Sequence, residues 1–340
     1  MMISGPLLFR ADANVAMGTG HVMRCLALAQ AWQDSGGRAV FSAAEMAPAL
    51  EQRLSEEGIR TTRVQPVSGS LADANATIGV ARETGARWIV IDGDAFGPDF
   101  LSHVRSAGFR VLLIDDFAQR ESFPADLIVN PNLGATPELY RSRGSQAPLL
   151  IGESYVLLRR EFTQWKQGRT LPQTGCRVLV TMGGSDPENL SPRIGDALAQ
   201  DSCLEITLVA GAANPHLSEL NGLWPSRVRV LFNARNMHEL MAEADLAVVA
   251  AGGTLWELMY MRCGVLSYAR NPVQARVVQA LEQRNAARNL GYMANFDAVA
   301  LLAAVRSLAH SRDLREQMTE AGRRVVDGMG ADRILRAMRE

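Results

Sequence analysis

The sequence is short of the residues that announce several large functional classes. Only four of its 340 residues are cysteine: Cys25, Cys176, Cys203 and Cys263. They are scattered, with no CxxC pair and no metal-ligand spacing. This excludes a disulfide framework and a cysteine metal site, and buried free thiols are expected. Neither sign of charge is in excess, since 35 basic against 36 acidic residues leave a formal net charge of −1. Bulk electrostatics therefore gives no case for a nucleic-acid partner or an anionic membrane. No apolar run approaches the ~20 residues of a membrane span, and Met1-Met2-Ile3-Ser4-Gly5-Pro6 lacks a basic stretch followed by a long apolar core. A cytoplasmic protein without membrane insertion is expected. There is no internal repeat, low-complexity tract or coiled-coil heptad. Arginine greatly outnumbers lysine, which reads as a compositional bias and not as a site.

What is present is ordinary globular material: 47% hydrophobic and 21% charged residues, enough for a full core, over a length suited to two domains. Apolar strand runs alternate with amphipathic helical runs. Strands are expected at 7–11, 38–42, 88–92, 110–115 and 127–129, with helices at 22–35, 48–57, 73–84 and 98–107. The segment 134–152 breaks the rhythm and reads as a surface excursion. The alternation restarts with strands at 177–182, 205–210, 227–232, 246–250 and 265–268. Helices there fall at 189–200, 237–243, 254–261, 273–288 and 297–308, and one or two amphipathic helices occupy 311–340. The fold class is α/β, with two doubly wound, Rossmann-like halves. Their bounds are 1–165 and 176–310, joined by a linker at 166–175. The helices of 311–340 are free to cross back to the first half. Two such halves are expected to face each other across a cleft, where ligands are preferentially bound.

Three strand-to-helix turns are rich in glycine. The first, Gly18-Thr19-Gly20-His21, follows Leu7-Leu8-Phe9 and opens a helix. Helix N-termini favour anions and disfavour imidazolium, so a free-base His21 is expected. Met23 stands where the dinucleotide fingerprint needs its third glycine, and no GKS or GKT follows, so nicotinamide and P-loop readings fail. A tight turn with a solvated His21 is the plainer alternative. The second turn, Met182-Gly183-Gly184-Ser185-Asp186-Pro187, follows a buried strand. Its glycines permit close backbone approach, or Ser185 or Asp186 simply caps a helix with Pro187 at its first position. The third, Ala251-Gly252-Gly253-Thr254-Leu255-Trp256-Glu257, offers backbone N–H groups to a diphosphate and a carboxylate to a ribose. A capping box of Thr254 with Glu257 fits the same spacing.

Acidic residues collect at the carboxyl ends of the first-half strands: Asp92, Asp115 and Asp116, with Asn130-Pro131-Asn132 nearby and Asp94 and Asp99 in the following loop. They can bind sugar hydroxyls or cap helices. No motif surrounds His103, His216, His238 or His310, which are expected at the surface.

These segments together resemble the UDP-sugar hydrolases of pseudaminic acid biosynthesis (PseG) and their SpsG-like relatives, in the glycosyltransferase-B (GT-B) superfamily that also holds MurG. The resemblance is carried by Phe9-Arg10-Ala11-Asp12 with Gly18–Leu26, by Ile114-Asp115-Asp116, and by Asp126–Asn132. Gly152 with 155–162, Met182–Asp186 and Ala251–Glu257 complete it. It implies two Rossmann-like domains of GT-B architecture. It also implies metal-independent, inverting attack of water on the anomeric carbon of a UDP-linked deoxyamino sugar, with no cofactor. On this resemblance His21 is the catalytic base; from the residue chemistry alone, Asp12 or Asn132 is a candidate to orient the water or the imidazole. Gly252, Gly253 and Thr254 approach the diphosphate, and Glu257 binds the ribose. Arg10, Gly18, Gly20, Arg24, Asp92, Asn130, Gly183, Gly184, Ser185 and Gln274 are the remaining candidates for substrate contact. The expected partner is the small-molecule substrate alone, with the protein a monomer.

The chain departs from the family pattern after Asp92. The run Asp92-Gly93-Asp94-Ala95-Phe96 carries Asp94 and Ala95 where the family has an aromatic residue or histidine. The region of Asn271-Pro272-Val273-Gln274-Ala275-Arg276 also differs. A substrate other than the diacetamido-trideoxy-altrose is therefore compatible with the sequence. A glycosyltransferase on the same scaffold and a noncatalytic nucleotide-sugar binder are the alternatives.

Overall fold

The computed structural model describes residues 5–14, 17–165, 170–211, 213–220 and 224–339. Residues 1–4, 15–16 at the approach to the first glycine turn, and 166–169 of the expected linker lie outside the described residues. The chain divides into two compact units. The first comprises Met1–Asn14, His21–Arg160 and Gly328–Glu340; the second comprises Val15–Gly20 and Glu161–Asp327.

The first unit is built in chain order from β1 (Pro6–Ala11), α1 (Gly20–Asp34), β2 (Arg38–Ala43), α2 (Pro48–Glu56), β3 (Arg60–Arg63), α3 (Leu71–Thr84), β4 (Trp88–Asp92), α4 (Pro98–Ser106), β5 (Arg110–Ile114), β6 (Leu127–Asn130), α5 (Glu138–Arg141) and β7 (Leu149–Ile151). All seven strands pair in parallel in the order β3-β2-β1-β4-β5-β6-β7. A parallel sheet must be covered on both faces, so its strands read as continuous apolar runs. Their alternate side chains serve two cores. Leu7, Phe9, Trp88, Val90, Leu112 and Ile114 pack against α1 and α2 and against Ile334 and Leu335 near the C-terminus. Leu8, Ile89, Ile91, Val111 and Leu113 pack against α3 and α4. Capping fixes the helix limits: the Ser70 side chain accepts from Asp73 N–H to start α3, and Gly85, at φ 75°, ends it.

The second unit continues with α6 (Arg160–Thr163), β8 (Arg177–Thr181), α7 (Leu190–Leu198), β9 (Glu205–Ala210), β10 (Val228–Phe232), α8 (Met237–Glu243), β11 (Leu246–Ala250), α9 (Gly253–Tyr260), β12 (Gly264–Ala269), α10 (Pro272–Gln283), β13 (Arg288–Tyr292), α11 (Ala298–His310) and α12 (Arg312–Val325). The last helix, α13 (Gly330–Ala337), returns to the first unit. The second sheet runs β10-β9-β8-β11-β12-β13, again wholly parallel. Val178, Val180, Ile206, Leu208, Leu246 and Val248 form its core with Leu190 and Ile194 of α7 and Leu301 and Val305 of α11.

Three strands were not foreseen: β3, β7 and β13. The last replaces the end of the helix expected at 273–288, because α10 stops at Gln283 and Asn285 takes a left-handed φ of 56°. Thiol burial also differs from expectation. Cys25 and Cys263 are buried, but Cys203 is exposed. Among the described residues, no helix is long and apolar enough to cross a membrane.

Candidate functional site

In each sheet the strand order reverses direction once, between β1 and β4 in the first unit and between β8 and β11 in the second. Loops leaving the carboxyl ends of such a pair diverge to opposite faces and open a crevice. The glycine turns of the sequence fall at these two places.

At the first crevice, His21 is the second residue of α1, and Asp92 ends β4 in register with Ala11 of β1. The imidazole Nδ1 lies 2.7 Å from Asp92 Oδ1. An ionised carboxylate only accepts, so Nδ1 carries the proton and Nε2 is the basic nitrogen. Arg24, one turn further along α1, grips the same carboxylate through Nε at 2.9 Å and Nη2 at 2.7 Å. Its Nη1 and Nη2 also donate to Asp116, at 2.7 and 3.0 Å. Asn132 Nδ2 donates to Asp116 Oδ1 at 2.9 Å, and the Asn132 backbone N–H is held by Asn130 Oδ1.

The charges explain the protonation states. Burial alone would raise the Asp92 carboxyl, but Arg24 and His21 hold it well below the usual carboxylate range. Burial disfavours the charged imidazole, yet the Asp92 carboxylate outweighs it by charge and hydrogen bond, and the His21 pKa lies above its ordinary value. The expectation considered the helix end alone; the Asp92 carboxylate, 2.7 Å from the ring, acts in the opposite direction.

Several predicted contacts have other work. Arg10 is fully buried. Its guanidinium donates to Asp73 at 3.0 and 2.8 Å and to Asp12 at 2.7 Å, with Ser68 Oγ at 3.4 Å, and it stacks over Phe96. Saturated in this way, it ties β1 to α3 and corrects the reading of Arg10 as a substrate contact. Asp12 is likewise engaged, accepting from Arg10, Ser68 and the N–H groups of Ala44 and Glu45. The imidazole is therefore oriented by Asp92, and neither Asp12 nor Asn132 touches it. Asn130 is buried, donating to Tyr140 Oη, whose hydroxyl donates to Asp115; Arg120 pairs with Asp115 on the other side. Asp94 and Ala95 are exposed on the loop after Asp92.

At the second crevice, α9 begins at Gly253 with Gly252 as its N-cap and no side-chain cap. Thr254 and Glu257 therefore form no capping box. Among the described residues the Gly253 and Thr254 N–H groups have no acceptor, as expected for a first helical turn. Neither Gly252 nor Gly253 has a left-handed φ, and a Cβ on either would meet nothing within 4 Å. Gly20 is the same. Gly183 differs, because its φ of 85° requires glycine, as does that of Gly18 at 77°. Gly184 has no space for a Cβ, which would sit 2.4 Å from Thr19 Oγ1. Ser185 is buried. The carboxylate of Asp186 accepts from the N–H groups of Leu190 and Ser191, so it caps α7 from four residues ahead and Pro187 stays outside the helix. Gln274 is half-buried; its Oε1 accepts from Arg270 N–H while its own N–H is capped by Asn271.

His238 was expected at the surface but is half-buried, its ring edge-on to Trp165 at 5.1 Å. A cavity of about 470 Å³ opens at the amino ends of β8 and β9, lined by Arg177, Glu205 and Arg227. It contains none of the candidate residues. Among the described residues, no group of three His, Cys, Asp or Glu side chains is placed to hold a metal ion. Asp116 was noted in the sequence only among the strand-end acids and was given no place beside His21. Adjacent to Asp115 at a strand end, it meets Arg24 and Asn132, whereas Asp115 meets Tyr140 and Arg120.

No family model matches the chain. It is 24% identical over 271 residues to the UDP-2,4-diacetamido-2,4,6-trideoxy-beta-L-altropyranose hydrolase of Campylobacter jejuni, covering 78% of this chain and 92% of that protein. It is 25% identical over 194 residues to the spore coat polysaccharide biosynthesis protein SpsG of Bacillus subtilis, covering 56% of this chain and 57% of that one. It is 24% identical over 274 residues to an uncharacterised protein of Methanocaldococcus jannaschii, covering 77% of this chain. The chain spans little more than half the length of these last two relatives, 55% in the archaeal case. Among solved structures, the spinosyn rhamnosyltransferase SpnG superposes with a TM-score of 0.69 at 16% identity, covering 99% of this chain and all of that one. MurG of Acinetobacter baumannii superposes with a TM-score of 0.64 at 15% identity, covering 98% and 99%. At that identity the structures speak for the fold alone. The chain is thus a homologue, at low identity, of the trideoxy-altropyranose hydrolase and of SpsG, with the two parallel-sheet α/β domains of the GT-B fold.

Proposed function

We propose that the protein hydrolyses a UDP-linked deoxyamino sugar, releasing UDP and the free sugar with inversion at the anomeric carbon. The observation that carries this reading is the His21–Asp92 pair at the first crevice, which leaves imidazole Nε2 as an oriented base. In the proposed reaction Nε2 removes a proton from water as the water oxygen bonds to the anomeric carbon. The bond from that carbon to the diphosphate oxygen breaks, and UDP departs with the electron pair. Asp92 stabilises the resulting imidazolium. The Gly252–Gly253 turn supports the diphosphate reading. Two glycines that neither backbone conformation nor crowding demands leave an open helix N-terminus with N–H groups free to meet an anion. Glu257, half-buried one turn into α9, is the proposed ribose ligand. The exposed Asp94-Ala95 loop makes the sugar a candidate for difference from that of the Campylobacter relative, within nonulosonic (pseudaminic-type) acid synthesis.

The second reading is transfer of the sugar to an acceptor hydroxyl, favoured by the glycosyltransferases among the fold relatives. Incubation with a panel of UDP-sugars in buffer alone separates the two. Hydrolysis gives UDP without acceptor, whereas dependence on an added hydroxyl compound contradicts the first reading. A His21→Ala variant that still binds UDP but does not turn over is the expected control, and it opposes the noncatalytic binder.

A further inference from the structure

The side chain that organises the first crevice is Arg24. Four contacts within hydrogen-bond distance run from its guanidinium to two carboxylates, Asp92 on β4 and Asp116 after β5, and it sits 3.5 Å from His21 Nδ1. Asp116 is itself fixed by Asn132. The arginine is thus spent inside the protein and leaves little for a substrate, although the sequence suggested a substrate contact.

We propose that Arg24, braced by Asp116, is a positioning residue that clamps Asp92 in plane and so holds the His21 imidazole with Nε2 as its working nitrogen. The inference deepens the proposed base role of His21 and rests on it only for the catalytic consequence. Two bidentate grips on carboxylates from different strands fix the guanidinium, which lysine as a point charge cannot reproduce. The titratable groups around His21 are Asp92, Arg24 and Asp116, with the Cys25 thiol 3.7 Å from Asp92. Their influences on the imidazole oppose one another. Arg24 lowers its pKa, and Asp92 and Asp116 raise it. Arg24 therefore also limits how far Asp92 can push His21 toward the protonated form that cannot act as a base.

The test is the NMR titration of the His21 ring, assigned by its loss in His21→Gln, in wild type, Arg24→Gln, Arg24→Lys and Asp116→Asn. The expected result is a pKa raised in Arg24→Gln, lowered in Asp116→Asn and close to wild type in Arg24→Lys. On the preferred UDP-sugar, kcat in Arg24→Lys falls about 10- to 100-fold with KM within about twofold, because charge is kept and alignment is lost. Shifts of the same sign in Arg24→Gln and Asp116→Asn, or no shift in either, overturn the proposal, as does full kcat in Arg24→Lys. Asp116→Asn keeps the side-chain shape and serves if Arg24→Gln fails to fold. Opposite shifts in Arg24→Gln and Asp116→Asn, together with a wild-type protein that releases UDP from no UDP-sugar, uphold the clamp and defeat the hydrolase reading instead.

Discussion

The two crevices have the same topology and opposite contents. In the first, four charged or titratable side chains (His21, Arg24, Asp92 and Asp116) are locked by short hydrogen bonds. In the second, the edge is backbone, and a Cβ on Gly252 or Gly253 would meet no atom of the described residues within 4 Å. A switch point makes a concavity, but its chemistry is decided by what the sequence places there. A proton-moving site needs side chains with perturbed ionisation, whereas an anion cradle needs bare N–H groups and no Cβ. The proposed reaction assigns one of these tasks to each crevice.

The sharpest way to break this division is at the base. His21→Gln is expected to reduce turnover by about 10²- to 10⁴-fold. Its affinity for UDP, measured calorimetrically, should stay within about twofold, and a parallel loss of affinity would show that the crevices do not divide the work. Arg10→Ala should act on stability. It strands the buried Asp73 and Asp12 carboxylates and costs about 3–5 kcal/mol, read by denaturant unfolding. A fully stable Arg10→Ala protein with weakened substrate binding would return Arg10 to the substrate contacts. At the second crevice, Gly253→Ala should weaken UDP binding by about tenfold, near 1.4 kcal/mol, while stability holds or improves by up to about 1 kcal/mol. Lower stability with unchanged affinity would make that glycine structural.

The smallest expected effects are pH dependences. His21, with its pKa raised, contributes stability that is complete below its unfolded value of 6.5 and is lost as pH rises through the folded value. Asp92 and Asp116, with theirs lowered, contribute stability present above 3.8 that is lost as pH falls through their folded values. Melting temperatures should therefore fall at both extremes, and Asp92→Asn should flatten both limbs. In wild type, kcat should climb with pH through a value above 6.5, because the base must be deprotonated; a limb centred below 6.5 would point to a different base.

Much of this was legible in the sequence, for physical reasons that also mark where legibility stops. β4, β9 and β11 match their expected bounds, because central parallel strands are apolar on both faces. β3, with Arg60-Thr61-Thr62-Arg63, and β13, with Arg288-Asn289-Leu290-Gly291-Tyr292, are sheet edges with little to bury and so resemble loops. His21 stood out through its flanking glycines. Its partner did not, because Asp92 lies 71 residues away and meets it only through the β1–β4 pairing. The same holds for Arg24: a conspicuous arginine beside a candidate catalytic histidine suggests substrate contact until the two carboxylates that absorb it are located.

The central claim is that water, activated at His21, displaces UDP directly. Its most direct test is time-resolved NMR of a UDP-linked amino sugar incubated with the protein and no acceptor. The account predicts UDP together with free sugar whose first-formed anomer has the configuration opposite to that of the donor. Free sugar appearing first with the donor's configuration would contradict it.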